Sequence, residues 1–143
     1  MQKLALTLCM ALILASMTHQ NAKADDTNKP PASADQNSKP QLVEPAEAEK
    51  LIAEKKVVVL DVRNPAEFAS GHIEGATNID IHGKGFQTRL EQLDKNQPYL
   101  VHCAVGMRSA KACTVMSSLH FKTIYDLKGG LNAWEQAGKP VVK

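Results

Sequence analysis

The chain has 143 residues, with 17 Lys or Arg against 15 Asp or Glu and a formal net charge of +2. That length allows one domain of ordinary size. A charge balance this even, without a basic cluster, leaves no electrostatic footprint for nucleic acid or an anionic membrane.

The chain opens with Lys3 and the apolar run "LALTLCMALILASM" from Leu4 to Met17. Ala22-Lys23-Ala24 then puts small residues where a signal peptidase reads, just before Asp25-Asp26. This layout predicts a secretory signal peptide over residues 1–24, cleaved after Ala24, and a periplasmic or secreted product with no stable membrane association after cleavage. The run is shorter than the roughly 20 residues a spanning helix needs. Cys9 does not read as a lipoprotein cysteine, because Leu8 stands where a small residue is wanted. Lys3 and Lys23 are the only charged residues in the leader, so its removal leaves 15 basic and 15 acidic residues.

Residues 25–41, "DDTNKPPASADQNSKPQ", are polar and proline-bearing, with nothing larger than alanine to bury. The composition predicts a disordered spacer, leaving one folded domain over residues 42–143. Leu42-Val43 suits a short edge strand. Pro45 suits the first turn of a helix burying Ala48, Leu51 and Ile52. "VVVLDV" (Val57 to Val62) is apolar on both faces, as in a strand covered on both sides. Asn64-Pro65-Ala66-Glu67 supplies a capping residue, a proline at the first helical position and a glutamate three residues after the cap, which is a helix start.

Further on, Thr77 to Ile79 reads as a short strand and "GFQTRLEQL" as a helix burying Phe86, Leu90 and Leu93. "PYLVHC" reads as a buried strand, "RSAKACTVMSSLH" as a helix, "TIYDL" as a strand and "LNAWEQAG" as a last helix closed by Gly138. The alternation predicts an α/β domain in three layers, a mostly parallel five-stranded sheet with helices on both faces. Ligands in such sheets collect at the carboxyl ends of the strands.

Cys103 stands at one of those ends, in "HCAVGMRS". Four residues separate it from Arg108. Only a tight turn fits between the strand and the next helix. The amides of that turn and of the first helical turn have no internal partners and can converge on an anion. Gly106 permits the backbone angles of such a curl. A thiol at the mouth of this nest feels the helix dipole and Arg108, which predicts a lowered pKa and a nucleophilic thiolate. Cys103 and Arg108 are therefore the expected catalytic pair, and Ala104, Val105, Gly106, Met107 and Ser109 the expected substrate-binding loop. The natural substrates of this arrangement carry negative charge and an electrophilic sulfur or phosphorus. The processed chain keeps Cys103 and Cys113; an intervening helix, rising about 1.5 Å per residue, holds them too far apart for a disulfide, so both are expected free. Cys113, on a helix face with Ala110, Met116 and Ser117, reads as core filler.

Three blocks in order resemble the rhodanese family of single-domain sulfurtransferases. "LDVRNPAEFASGHIEGATNID" (Leu60 to Asp80) is similar to its first signature, "HCAVGMRS" to its Cys-x-x-Gly-x-Arg-Ser loop, and "DLKGGLNAWEQAGKPV" (Asp126 to Val141) to its closing Gly-Gly-x-x-x-Trp signature. The resemblance implies a thiosulfate sulfurtransferase without metal or cofactor. Cys103 takes the outer sulfur of thiosulfate or a similar anionic donor as a persulfide, sulfite leaves, and cyanide, a thiol or a sulfur-accepting protein removes the sulfur. Tyrosine-phosphatase-like loops have five residues between cysteine and arginine, so the shorter loop here favours one sulfur atom over a phosphate and disfavours a phosphatase or arsenate reductase. A non-enzymatic persulfide carrier or interaction module stays open as the alternative. A thioredoxin-like redox role lacks its Cys-x-x-Cys.

Among the other matched positions, Arg63 has two open readings, attraction of an anionic donor and a buried ion pair with Asp61. Glu67 is expected as a cap or a partner for a cation, His72 and His102 as packed structural side chains, His82 as solvated and Trp134 as a core anchor. His120 stands where relatives have a helix-ending glycine, which predicts a left-handed histidine.

Overall fold

Strands and helices alternate along the chain as their patterning requires. β1 (Gln41–Val43), β2 (Val58–Asp61), β3 (Thr77–Asn78), β4 (Tyr99–His102) and β5 (Ile124–Leu127) interleave with α1 (Pro45–Ala53), α2 (Pro65–Ser70), α3 (Phe86–Glu91), α4 (Met107–Ser118) and α5 (Gly130–Gln136). This computed structural model describes residues 39–143. The expected leader and nearly all of the expected spacer lie outside the described residues, and β1 begins one residue ahead of the expected domain start. No helix among the described residues is long and apolar enough to cross a membrane.

The sheet runs β1-β5-β4-β2-β3, and every strand pair is parallel. Successive side chains of a strand point to opposite faces, and the two interior strands divide their residues accordingly. Val59 and Leu100 face α1 and α5, where Ala48, Leu131 and Trp134 complete one cluster. Leu60, Tyr99 and Val101 face the other side, where Leu90 of α3 packs with Ala112, Cys113 and Met116 of α4. The expected three layers follow from this division. Leu51 and Ile52 are half-buried, where fully buried positions were expected.

Local chemistry sets the element ends. Asn64 and Glu67 form a reciprocal capping box: the Glu67 amide donates to Asn64 Oδ1 (2.8 Å) and the Asn64 amide to Glu67 Oε2 (3.2 Å). His120 ends α4 with φ +66°, the left-handed geometry expected of it. His72 is held as a structural residue, its ring on the Phe68 carbonyl and its backbone paired with Val142. Trp134 is buried, with its indole N–H donating to the Pro140 carbonyl (2.9 Å). One helix face differs from expectation: α4 buries Ser109, Ala112, Cys113 and Met116, while Ala110 is exposed. The face turned toward β5 is set by the crossover, which helical spacing alone does not specify.

β4 lies between β5 and β2, and all four of its residues are buried. The loop that follows it is therefore framed by structure on both sides.

Candidate active site

The loop at the carboxyl end of β4 curls through Gly106, whose φ of +96° an L side chain rarely adopts, and enters α4 at Met107. The curl turns amides inward. The Gly106 N–H donates to Cys103 Sγ at 3.1 Å, and Sγ lies 3.8 Å from the Ser109 hydroxyl, which itself donates to the Gly106 carbonyl at 3.0 Å. Burial raises the thiol pKa and is the largest single influence. The amides of Ser109, Val105 and Gly106 and the Ser109 hydroxyl act against it, and together they hold Cys103 below the ordinary thiol value. The converging donors thus favour the ionised form of the sulfur.

Two features of this site differ from expectation. Cys103 is not at the mouth of the nest: it has no exposed surface, because β4 buries it from below and the loop folds across it. Arg108, expected to bind an anion, is also held in an ion pair. Its Nη1 and Nη2 donate to the two oxygens of Glu67, each at 2.7 Å, in a bidentate pair that joins α4 to α2. Glu67 is held well below the usual carboxylate range, at about 2, chiefly by Arg108 and against the opposing effect of burial. The Arg108 pKa is raised, chiefly by Glu67, with Cys103 a lesser influence. The amides and Ser109 are the larger influences that lower the thiol pKa, and the Arg108 guanidinium adds to them through its own hydrogen bond and charge.

Arg63 also sits away from an anion-binding role. Its Nε donates to both oxygens of Asp61 (3.0 Å each), and its Nη2 donates to Asp61 Oδ2 (2.6 Å) and the Gly71 carbonyl (2.7 Å). Both side chains are buried. Of the two readings open for Arg63, the buried ion pair is the one these contacts describe, and its Nε and Nη2 are committed to it. His102 lies fully buried beside this pair, with Nδ1 3.3 Å from the Cys103 carbonyl and Nε2 3.6 Å from Asp61. A carbonyl only accepts, so Nδ1 carries the hydrogen. Burial lowers the His102 pKa against the opposing pull of Asp61, and the ring is a packed side chain. His82 is exposed.

The remaining loop residues divide by role. Val105 and Gly106 direct amides at sulfur, whereas the Ala104 carbonyl accepts from the Asn132 amide at 3.0 Å. The Leu131 amide donates to the Cys103 carbonyl at 2.8 Å, so the free first-turn amides of α5 are capped by the loop itself. Gly130 allows that approach: a Cβ there would lie 2.5 Å from the Cys103 carbonyl oxygen and 2.7 Å from Ala104. Met107 starts α4 with its side chain 71% exposed, and Val105 is 55% exposed.

Sequence reasoning missed three contributors. The Ser109 side chain acts on sulfur in addition to its amide. Asp126 on β5 is buried with Oδ1 unpartnered; its pKa is raised by burial and drawn back by a hydrogen bond with Ser109. Gly130 is the third, and the doubled glycine before an aromatic helix was its available signal. Asp126 also had one, as a charged residue inside an apolar strand. Both Cys103 and Cys113 are free thiols. Among the described residues no His, Cys, Asp and Glu group could hold a metal ion.

A family description, the rhodanese-like domain, matches residues 44–137, most of the folded chain. The chain belongs to the rhodanese-like family. It is similar to the thiosulfate sulfurtransferase GlpE of Pseudomonas entomophila, 38% identical over 92 residues that span 64% of this chain and 82% of that protein. A sulfurtransferase of Allochromatium vinosum is 30% identical over 66% of this chain and 87% of its own length. Among solved structures, a rhodanese-related protein of Thermoplasma volcanium superposes with a TM-score of 0.65 at 35% identity, covering 71% of this chain and 97% of that one. The five-stranded α/β architecture is that of a rhodanese-like fold, and the two relatives named above are sulfurtransferases.

Proposed function

We propose that this rhodanese-like protein is an exported sulfurtransferase whose nucleophile is Cys103. The thiolate attacks the outer sulfur of thiosulfate or a similar sulfane donor. A sulfur–sulfur bond forms on Cys103 as the donor's own sulfur bond breaks, and sulfite departs with the electron pair. Cyanide, a thiol or a sulfur-accepting protein then removes the outer sulfur and regenerates the thiolate, a covalent two-step route. The observation that carries this reading is the convergence of the Gly106, Val105 and Ser109 amides on Cys103 Sγ. The same donors would hold the negative end of the persulfide without reorganising. Export rests on the leader of residues 1–24 and its expected cleavage after Ala24.

The test is persulfide loading followed by intact mass. The mature protein, incubated with thiosulfate, should gain one sulfur atom. Cys103→Ala should abolish the gain and the cyanide-dependent turnover, and Cys113→Ala should keep both. Loss through Cys113→Ala instead would overturn the assignment. Loading without turnover would favour the carrier reading.

A further inference from the structure

Asp126 is a buried acid that the two-step route leaves without a role. It is 7% exposed, and its Oδ1 has no hydrogen-bond partner among the described residues. The same carboxyl is hydrogen-bonded to Ser109, which is fully buried. Ser109 Oγ in turn lies 3.8 Å from Cys103 Sγ and 3.0 Å from the Gly106 carbonyl. Sulfur, hydroxyl and carboxyl therefore link a thiol with no exposed surface to an acid that keeps a little. A hydroxyl has one hydrogen and two lone pairs. While Ser109 gives its hydrogen to the Gly106 carbonyl, it can only accept from Asp126, so the carboxyl must then carry a proton. When Asp126 is ionised, the hydroxyl turns to it and offers its lone pairs to the Cys103 thiol. A buried carboxylate with an orphan oxygen is costly, and a proton removes that cost. The sulfur is the reverse case, since the loop amides and Arg108 favour its ionised form.

We propose that Cys103 and Asp126 share one proton through Ser109, and that Asp126 keeps it while the sulfur is a thiolate. This rests on the sulfur-transfer reading, in which Cys103 acts ionised, and names the group that takes its proton. The transfer balances. The Cys103 S–H bond breaks as an O–H bond forms on Ser109, and the original Ser109 O–H bond breaks as one forms on Asp126. The charge of the pair is one minus before and after. Asp126 acts through Ser109 and is a positioning residue for the reaction. The ionisable and charged groups around the pair are Cys113 on α4, Arg108 with its Glu67 partner, and His102 at the end of β4. On its other side β5 pairs with Gln41, Leu42 and Val43 of β1, which carry no charge. Two groups coupled this closely titrate as a pair, in two steps that belong to both.

The experiment follows alkylation of Cys103 by iodoacetamide against pH on the full mature chain, with the infrared carbonyl band of protonated carboxylic acids recorded alongside. The native rate should rise in two steps. The acid band should persist above the first step, where the sulfur ionises, and vanish through the second, where Asp126 does. Asp126→Asn keeps the shape of the side chain but cannot take the proton, and it should lose both the band and the second step. A single-step native profile overturns the inference, as does an acid band that is gone before Cys103 ionises or a second step retained in Asp126→Asn. Should that variant fail to fold, the native protein decides alone. Its acid band must shift when Cys103 is alkylated above the first step, and an unmoved band overturns the shared proton. Failure of the native chain to gain sulfur from thiosulfate overturns the sulfur-transfer reading instead, so the two failures are distinguishable.

Discussion

Two thiols lie ten residues apart in one hydrophobic cluster, and both are buried: Cys103 is 0% exposed and Cys113 1%. Their acidities move in opposite directions. Burial pushes the Cys113 thiol up, and the neighbouring charges of Asp126 and Cys103 push it further. Cys103 is held below the ordinary thiol value although burial opposes this. The difference is the supply of free amides. Cys113 sits within α4, where the surrounding N–H groups are committed to carbonyls four residues back. Cys103 sits before the helix begins, where the loop and first-turn amides have no such partners. Burial alone therefore does not make a cysteine inert; burial without spare donors does.

The loop that carries Cys103 is most vulnerable at Gly130. Gly130→Ala forces a Cβ to 2.5 Å from the Cys103 carbonyl oxygen, and two backbones cannot yield cheaply. We expect destabilisation on the order of 3 kcal/mol, read from the denaturant midpoint, with persulfide loading lost. A variant as stable and as readily loaded as the parent would show that α5 does not hold the loop. Ser109→Ala has a smaller effect. It removes the hydroxyl from Sγ but keeps the amide, and loading at neutral pH should fall about tenfold, the value of one hydrogen bond to a charged group. Loading at high pH should recover, because added base replaces the missing donor's effect on ionisation.

Glu67 tests the periphery of the same site. Its carboxyl pKa is depressed to about 2 in the folded chain from an ordinary 4.5. The stability it contributes is therefore fully present above about pH 4.5 and lost as pH falls toward 2. The Glu67 side chain is 31% exposed, so after allowance for solvent screening the contribution is about 1 kcal/mol. Glu67→Gln should flatten the acid limb of the stability curve by that amount and leave the neutral-to-alkaline limb in place. An unchanged acid limb would mean that the Arg108 pair adds nothing to stability.

Much of this was legible in the sequence wherever the cause was local. The capping box needs only Asn64 and Glu67, three residues apart; the strand–helix alternation needs only the pattern of apolar positions; Cys103, Gly106 and the helix start share one tight loop. What was hidden depends on which strands become neighbours. Glu67 reaches Arg108 across 41 residues, and Asp126 meets Ser109 because β5 lies beside β4. Gly130 matters because α5 begins against the loop. The burial of Cys103 has the same origin: a cysteine at a strand end reads as accessible until the loop is seen folded over it. Arg63 shows the converse, since an arginine beside the site on paper turns inward to Asp61 when β2 and α2 are placed.

The most direct test is the pH dependence of alkylation at each thiol, followed residue by residue by mass spectrometry on the native protein. Reaction at Cys103 should reach its half-maximal rate at a pH below that of a free cysteine, while Cys113 stays unreactive across the same range. If Cys103 titrates at or above the free-cysteine value, or if the two thiols rise together, the ring of donors does not ionise the sulfur and the account is contradicted.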